Sequence, residues 1–164
     1  MNKHLNQKKG STFEDLDVYK VAREFRKQMY RVATGLPEIE KFGLANQIRR
    51  AAVSLTNNIA EGHGQFHYLD QVKFTLQSRG SLEELIDDLN VCEDQGYCPV
   101  ADIILLKEQA WRVRQLIDGY VRYLRGQKES DSSSVREDEW WTYGDIDEVK
   151  NDSRISIRES RFIE

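Results

Sequence analysis

Apolar residues recur at intervals of three and four along four long stretches of the chain, which is the spacing of one buried helix face. The clearest stretch is LANQIRRAAVSLTNNIAEG, residues 44–62. When each residue advances by about 100° around a helix axis, its apolar positions fall on one narrow arc. These positions are Leu44, Ile48, Ala51, Ala52, Leu55 and Ile59. The pattern predicts a helix over residues 44–62 whose apolar arc faces a core.

Three other stretches have the same period and predict helices over about residues 15–34, 68–95 and 100–125. Ser11 and Glu14 have the spacing of a capping box, so the first helix is expected to begin near them. Gly35 and Pro37 are expected to end it, because glycine accepts a left-handed turn and the residue before proline disfavours helix.

Gly80 lies in the middle of the third predicted helix, where glycine costs about 1 kcal/mol relative to alanine. It therefore indicates either the close approach of a neighbouring helix or a kink. Gly96 and Pro99 suit the end of this helix and the start of the next. Since no stretch is typical of a buried strand, the pattern predicts an all-α, up-down-up-down antiparallel four-helix bundle over residues 13–126.

The two ends of the chain differ from this bundle in composition. Residues 1–12 are predicted to be a flexible basic arm, and residues 127–164 an acidic, serine-rich linker and aromatic tail that is mostly disordered. The tail contains Trp140, Trp141 and Tyr143, followed by a partly alternating set, Ile155, Ile157 and Ile163. The interpretation we favour is a motif that binds a protein partner, and the alternative is docking back on the bundle.

Charge is distributed unevenly along the chain. Residues 1–10 carry three lysines, residues 11–126 carry 15 basic and 17 acidic groups, and residues 127–164 carry 6 and 11. A slightly acidic body with a sequence pI of about 5.5 argues against nucleic-acid binding through bulk charge, although a local basic patch stays open.

The expected location is the cytoplasm, without membrane attachment, because the basic N-terminus is followed by no apolar run typical of a signal peptide or membrane span. Cys92 and Cys98 are too few for a disulfide framework in a chain of this length. We expect both thiols to be reduced, with Cys92 in the core.

A polar row lies beside the apolar arc of the second helix. Its members are Gln47, Arg50, Ser54, Asn58 and Glu61. Polar groups that flank a core are partly desolvated and need partners, so we expect a structural row. In particular, Asn58 and a mostly buried Glu61 should bind backbone groups or Arg50. The competing interpretation is a ligand or nucleic-acid contact row, and the poor helix formers Asn57 and Asn58 are its best candidates together with Glu61.

Arg49, Val53 and Ala60 share an outward-facing arc of the same helix. Its small and apolar residues suit a subunit contact, so Val53 and Ala60 are the candidate contact residues. The candidate nucleic-acid contacts are Lys41, Arg49 and Arg50, with Lys3, Lys8 and Lys9 of the basic arm as additional contacts.

Catalytic and metal-binding patterns are weak. His63 and His67 are four residues apart, but the first lies in a glycine-flanked turn and no third ligand is adjacent. The glutamate-x-x-histidine pairs of bundle-core metal sites do not occur, and Ser54 and Ser81 have no neighbouring histidine in sequence. We therefore expect no catalytic residue, cofactor or metal, and a protein that is not an enzyme.

Four segments resemble a known family. They are FEDLDVYKVA at residues 13–22, LPEIEKFGL at 36–44, QIRRAAVSLTNNIAEG at 47–62 and GSLEELIDDL at 80–89. The family is that of the small four-helix-bundle proteins encoded within intervening sequences of bacterial 23S rRNA genes. The resemblance implies a bundle that assembles into a homopentameric ring, with a biochemical role that is largely unassigned.

A similar fold serves as the accessory protein of diversity-generating retroelements, a basic ring that binds nucleic acid and a reverse transcriptase. The first hypothesis is accordingly a non-catalytic scaffold that self-assembles as a ring. The alternative is an RNA- or DNA-binding accessory module that uses a local basic patch.

Overall fold

The computed structural model describes the backbone of residues 12–131 and the side chains of residues 12–126. Four α-helices cover most of this range: α1, Asp17–Gly35; α2, Leu44–Gly64; α3, Tyr68–Asp94; and α4, Val100–Asp131. Two short 3₁₀ helices, Phe13–Asp15 and Glu38–Glu40, precede α1 and α2. No strand occurs among the described residues.

The helices pack as a four-cornered bundle. Both α1 and α3 contact α2 and α4, so α1 lies diagonally opposite α3, and α2 lies diagonally opposite α4. This arrangement confirms the predicted four-helix bundle.

The core takes side chains from all four helices. Its largest fully buried members are Phe25, Met29, Ile48, Leu55, Ile59, Leu82, Leu85, Leu89, Ile103 and Ile117. Removing each such side chain from water contributes about 1.5–3 kcal/mol before the entropy of ordering is subtracted. A smaller cluster of Val72, Val121 and Leu124 continues the packing between α3 and α4. The helical arcs predicted from the spacing are therefore the faces that pack together.

The first helix begins later than predicted. The backbone N–H of Thr12 donates to the Asp15 carboxylate at 2.9 Å, one residue beyond the expected pair of Ser11 and Glu14. This contact starts a 3₁₀ turn, and α1 follows only from Asp17. Ser11 lies outside the described residues.

A proline ends α1, and a glycine ends α3. Leu36 is extended, as expected before Pro37, but the predicted left-handed turn at Gly35 is wrong. Among the described glycines only Gly96 has a positive φ, 65°, and Tyr97 N–H then donates to the carbonyl of Cys92 at 2.9 Å. The predicted glycine cap of α3 is thus confirmed, whereas α1 ends because of the proline alone.

The close approach of a neighbouring helix predicted at Gly80 is wrong. Nothing lies within 4 Å of a Cβ placed there, and α3 runs without interruption from Tyr68 to Asp94. The close approach is instead at Gly62 in α2, where a Cβ would lie 3.1 Å from the Phe74 Cβ and 3.2 Å from the Gln71 carbonyl oxygen. The α2–α3 contact therefore requires a small residue at Gly62.

The last helix is longer than expected, since α4 continues to Asp131 instead of ending near Arg125. Gln127, Lys128 and Glu129 are good helix formers, so the glycine at 126 does not stop it. The predicted flexible arm, with Lys3, Lys8 and Lys9, lies outside the described residues except for Thr12. The aromatic tail, including Trp140, Trp141, Tyr143, Ile155, Ile157 and Ile163, lies outside them as well.

Glu40 bonds the α1–α2 connection, in which it lies, to the α3–α4 connection. Its carboxylate accepts the Leu44 backbone N–H at 3.1 Å, which caps α2, and the Tyr97 hydroxyl at 3.1 Å. The bond to Glu40 raises the pKa of Tyr97. This contact holds the α1–α2 connection against the α3–α4 connection.

Candidate interaction surface

The polar row divides into a packed half and an exposed half. Ser54 accepts hydrogen bonds from the Ser81 hydroxyl at 2.9 Å and from the Asn58 side-chain amide at 3.1 Å. One turn away, the Ser78 hydroxyl donates to the Leu55 carbonyl at 2.7 Å. The bonds from Ser81 and Ser78 join α2 to α3, whereas the Asn58 bond lies within α2. Asn58 therefore has a partner in its own chain, but the partner is Ser54 and not the backbone group or Arg50 that was expected.

Gln47, Arg50 and Glu61 are exposed. The expectation of a mostly buried Glu61 is therefore wrong, and no hydrogen bond joins its carboxylate to another described residue. On the helix, Arg50 and Glu61 lie at the edge of the row that is farthest from the core residues Leu55 and Ile59. Spacing alone grouped them with Ser54, but the α3 surface reaches only the nearer members.

Arg49 does not point outward as predicted. It is half-buried, and its guanidinium donates to the Ala33 carbonyl in the last turn of α1 at 3.2 Å. A cation is favourable there because the carbonyls at a helix C-terminus carry partial negative charge. Arg26 makes the other α1–α2 bond, donating to the buried Thr56 hydroxyl at 2.8 Å.

A shallow groove runs along the outside of α1 and α2, with a volume of about 430 Å³. Tyr30 of α1 lines it together with five residues of α2, which are Arg49, Arg50, Val53, Ser54 and Asn57. Tyr30 also borders an adjoining hollow that includes Arg31. We call this surface, with the neighbouring Arg26, the basic groove.

The arginines of the basic groove have no carboxylate partner among the described side chains. Arg26 and Arg49 bind a hydroxyl and a carbonyl, Arg31 donates to the Gln28 side chain at 3.2 Å, and Arg50 has no such bond. Asn57 adds an exposed amide and Tyr30 an aromatic ring that is 38% exposed. The groove can therefore bind carboxylates or phosphates and stack an aromatic ring.

Not all of the other predicted contact residues lie in the groove. Lys41 lies in the α1–α2 connection, where its ammonium is 2.9 Å from the Glu38 carboxylate and 5.6 Å from the Phe42 ring centre. It does not line the groove with Arg49 and Arg50. Val53 does line it, whereas Ala60, which is half-buried, does not.

Sequence reasoning missed Tyr30, Arg26 and Arg31. The available signal was their spacing, since residues 26 and 30 are four apart and share one side of α1. Only the packing of α1 against α2 shows that this side meets Arg49 and Arg50.

The α3 helix, diagonally opposite α1, is acidic. It contains seven acidic and two basic residues, net −5, whereas α1 contains two acidic and five basic residues, net +3. Asp88 is only 5% exposed, and its Oδ2 has no hydrogen-bond partner. Burial, reinforced by Glu84 and Asp87, raises the pKa of Asp88 to about 6. The carboxylates of α3 therefore outnumber its basic side chains.

His63, His67 and the two cysteines form no recognisable reactive site. His63 is half-buried at the end of α2, His67 is exposed before α3, and no group of three potential metal ligands occurs among the described residues. Cys92 lies in the core as predicted, and burial raises its pKa to about 12. Burial likewise raises the pKa of Cys98, so neither thiol is activated as a nucleophile at neutral pH.

Comparison with known proteins identifies a matching family. A family model described as 23S rRNA-intervening sequence protein matches residues 14–119, which begin in the first 3₁₀ turn and include the whole basic groove. A search of curated proteins finds no match. Within residues 12–131, no helix has an apolar stretch long enough to span a membrane.

Proposed function

The chain belongs to the family of 23S rRNA-intervening sequence proteins, and from this premise we propose that it is a non-catalytic helical scaffold that assembles with its own copies into a ring. The supporting observation is the placement of opposite charges on diagonal corners of the bundle, net +3 on α1 and net −5 on α3. A contact between different faces of successive copies closes into a ring when the rotation between copies permits it.

In this assembly α1 of one copy faces α3 of the next. Charge complementarity selects this pairing over α3 against α3, which juxtaposes like charges. The α3–α4 side also exposes apolar surface, with Leu76 40% and Trp111 57% exposed. Such side chains supply the apolar area that charge alone lacks. The resemblance described above sets the expected number of copies at five.

Light scattering after size-exclusion chromatography tests the ring. The expected mass at tens of micromolar is about five times the 19.2 kDa of one chain. Replacing the exposed Glu84 and Asp87 of α3 by lysine should dissociate it, and replacing the exposed Arg23 and Lys27 of α1 by glutamate in the same chain should restore it.

The matched control places the same charge change on α4, with Asp102 and Glu108, both exposed, replaced by lysine. This variant should keep the mass of the unmodified protein. A monomeric mass of the unmodified chain would rule out the scaffold as proposed, and dissociation by the control would show that net charge, not the α1–α3 pairing, governs assembly.

The second candidate function is binding of RNA or DNA in the basic groove. The favouring observation is that Arg26, Arg31, Arg49 and Arg50 have no carboxylate partner among the described residues, beside an accessible Tyr30 ring. Fluorescence anisotropy with labelled oligonucleotides should give affinities that fall with salt at a log-log slope of about 0.9 per duplex phosphate contact. Binding that ignores salt, or that survives Arg49→Gln with Arg50→Gln, would exclude this function.

A further inference from the structure

The arginines of the basic groove flank the ring of Tyr30. Arg26 of α1 donates to the Thr56 hydroxyl of α2. Arg49 of α2 donates to the Ala33 carbonyl of α1. The two bonds are seven positions apart on each helix, which is about 10 Å along the bundle at a rise of about 1.5 Å per residue. Because Tyr30 lies between Arg26 and Ala33 in α1, its exposed ring has a guanidinium group on either side.

Arg26 and Arg49 are held in place by these bonds before any ligand binds. Each guanidinium group uses part of its donors on the neighbouring helix and presents further N–H groups. Since both side chains are already ordered, binding a phosphate costs them less conformational entropy than it costs a free surface arginine. Arg31 and Arg50 are exposed and add cations at the edges of the groove.

The groove also offers the contacts that a nucleobase needs. Tyr30 is 38% exposed, Val53 adds an apolar side chain and Asn57 adds an exposed amide. A base can stack on the tyrosine ring while the amide binds its polar edge. In a duplex the neighbouring base pairs cover both faces of each base, so only an unpaired base can use the ring.

The surroundings of the groove disfavour a duplex. A volume of about 430 Å³ is near the lower end of clefts that hold one small molecule, so the groove has room for about one nucleotide. On the other side of α2 lies α3, which has a net charge of −5 and repels a polyanion broad enough to reach it. The groove therefore suits a narrow, flexible strand.

We propose that the basic groove binds single-stranded nucleic acid, with one unpaired base stacked on Tyr30 and the phosphates on either side of that base bound by the arginines. The inference rests on the second candidate function, nucleic-acid binding, and not on the ring. It names the form of nucleic acid that the groove selects, because a duplex can contact the arginines but offers no base face to Tyr30.

Fluorescence anisotropy of the full-length chain tests this selection. The probes are a labelled single strand of mixed sequence and the same strand annealed to its complement, each made as RNA and as DNA. The single strand should bind about tenfold more tightly, because the stacked base adds to phosphate contacts that both forms can make. The tighter of the RNA and DNA strands identifies the ligand.

Two failures are distinguishable in this experiment. A duplex that binds as tightly as the single strand would overturn the proposal and leave nucleic-acid binding in place. If neither form binds, the second candidate function is refuted together with the inference.

Substitution of Tyr30 tests the role of its ring. Tyr30→Leu should weaken single-strand binding by about tenfold and leave duplex binding unchanged. Tyr30→Phe keeps the ring and should keep the affinity. The matched control is Phe42→Leu, because Phe42 is 85% exposed and has the Lys41 ammonium 5.6 Å from its ring centre, but lies outside the groove. This control should change neither affinity.

Circular dichroism verifies that each variant keeps its helices. An equal loss of single-strand affinity in Tyr30→Leu and Phe42→Leu would contradict the proposal, since any exposed ring would then serve. A loss in Tyr30→Phe would also contradict it, because the hydroxyl and not the ring would make the contact.

The salt dependence separates the ring from the arginines. Arg50→Gln removes a phosphate contact, so the log-log slope of single-strand binding should fall by about 0.7. Tyr30→Leu should lower the affinity at every salt concentration without changing this slope, since stacking releases no counterions. A smaller slope in Tyr30→Leu would show that the substitution disturbs phosphate contacts, and it would count against a stacked base.

Photochemical cross-linking locates the base directly. Iodouracil placed within the single strand forms a bond, on irradiation, to an aromatic side chain that it contacts, and mass spectrometry identifies the peptide. We expect the peptide that contains Tyr30. A cross-link to Phe42, Phe66 or Trp111 instead would place the base outside the groove and refute the proposal.

Discussion

The α3–α4 pair and the α1–α2 pair differ in what their interhelical basic side chains bind. Between α3 and α4, three cations meet carboxylates on the other helix: Arg114 with Glu83 at 3.0 Å, Arg79 with Asp118 at 3.5 Å and Lys107 with Glu93 at 2.6 Å. Between α1 and α2, Arg26 and Arg49 bind only a hydroxyl and a carbonyl. These three cations of the α3–α4 pair are neutralised by carboxylates, whereas Arg26 and Arg49 of the α1–α2 pair are not.

The difference follows from where the acids lie. Among its 21 residues α2 has a single carboxylate, Glu61, at the far end from Arg49, whereas α3 alone has seven acidic residues. The two carboxylates of α1, Asp17 and Glu24, pair with Lys20 and Lys27 and not with the groove arginines.

The largest expected effect concerns the acidic side. Because burial raises the pKa of Asp88 to about 6, above its value in an unfolded chain, the folded state binds this proton more tightly. Stability should therefore fall as pH rises from about 4 to 6. Asp88→Asn should raise the free energy of unfolding at about pH 8 by roughly 2 kcal/mol and change it little at about pH 4.

Urea unfolding at the two pH values provides the measurement, and Asp87→Asn, at an exposed neighbour, is the control with an expected change below about 0.5 kcal/mol. A loss of stability from Asp88→Asn at high pH would mean that a partner neutralises this carboxylate. The acidic side would then be better compensated than the described contacts indicate.

The next effect concerns the α1–α2 bond. Thr56→Val removes the hydroxyl that accepts from Arg26 while keeping the volume of the buried side chain, so it should destabilise by about 1.5 kcal/mol. The control Thr34→Val removes an exposed hydroxyl bonded only within α1, and its expected cost is below about 0.5 kcal/mol. Thermal or urea unfolding compares the two, and equal costs would show that the Arg26 bond does not hold α1 to α2.

A third test probes how open the outer face of α3 is. Gly80→Ala should stabilise by about 1 kcal/mol, because alanine favours helix and the added Cβ meets nothing within 4 Å. Gly62→Ala should lose this gain, since its Cβ would lie 3.1 Å from Phe74. Urea unfolding of both variants is the measurement. Destabilisation by Gly80→Ala would indicate that a neighbouring copy covers this position.

The smallest effect concerns the α3–α4 ion pairs. Arg114 and Glu83 are 30% and 46% exposed in their side chains, so a double-mutant cycle should give a coupling of only about 0.5 kcal/mol. This coupling should decrease further at about 1 M salt. A coupling that is large and insensitive to salt would show that these ion pairs hold α3 to α4. The α3–α4 and α1–α2 pairs would then differ in more than the neutralisation of their basic side chains.

Periodic residues allowed most of the fold to be predicted. The apolar positions of α2 and the turn at Gly96 report local preferences, which act wherever the chain packs. The predicted reasons were less reliable for Gly80 and Glu61, because the same spacing describes a position facing a neighbouring helix and one facing water. The outward orientation predicted for Arg49 was wrong for a related reason. Its long side chain reaches a carbonyl of α1, which spacing within α2 cannot reveal.

The candidate site was predicted in part. Arg49, Arg50 and Val53 were identified from α2 alone and do line one groove, while Lys41 and Ala60 lie elsewhere. Tyr30 was not predicted, because it becomes part of the groove only when α1 packs against α2.

By itself the sequence determined the four helices, their buried faces and the family, because helical period and turn residues act over a few neighbouring positions. The tertiary structure decided which polar residues are partnered, which glycine is crowded and which arginines lack carboxylates. These properties depend on contacts between residues on different helices, from the 12 positions separating Gly62 from Phe74 to the 57 separating Glu40 from Tyr97, and only the packed bundle brings such residues together.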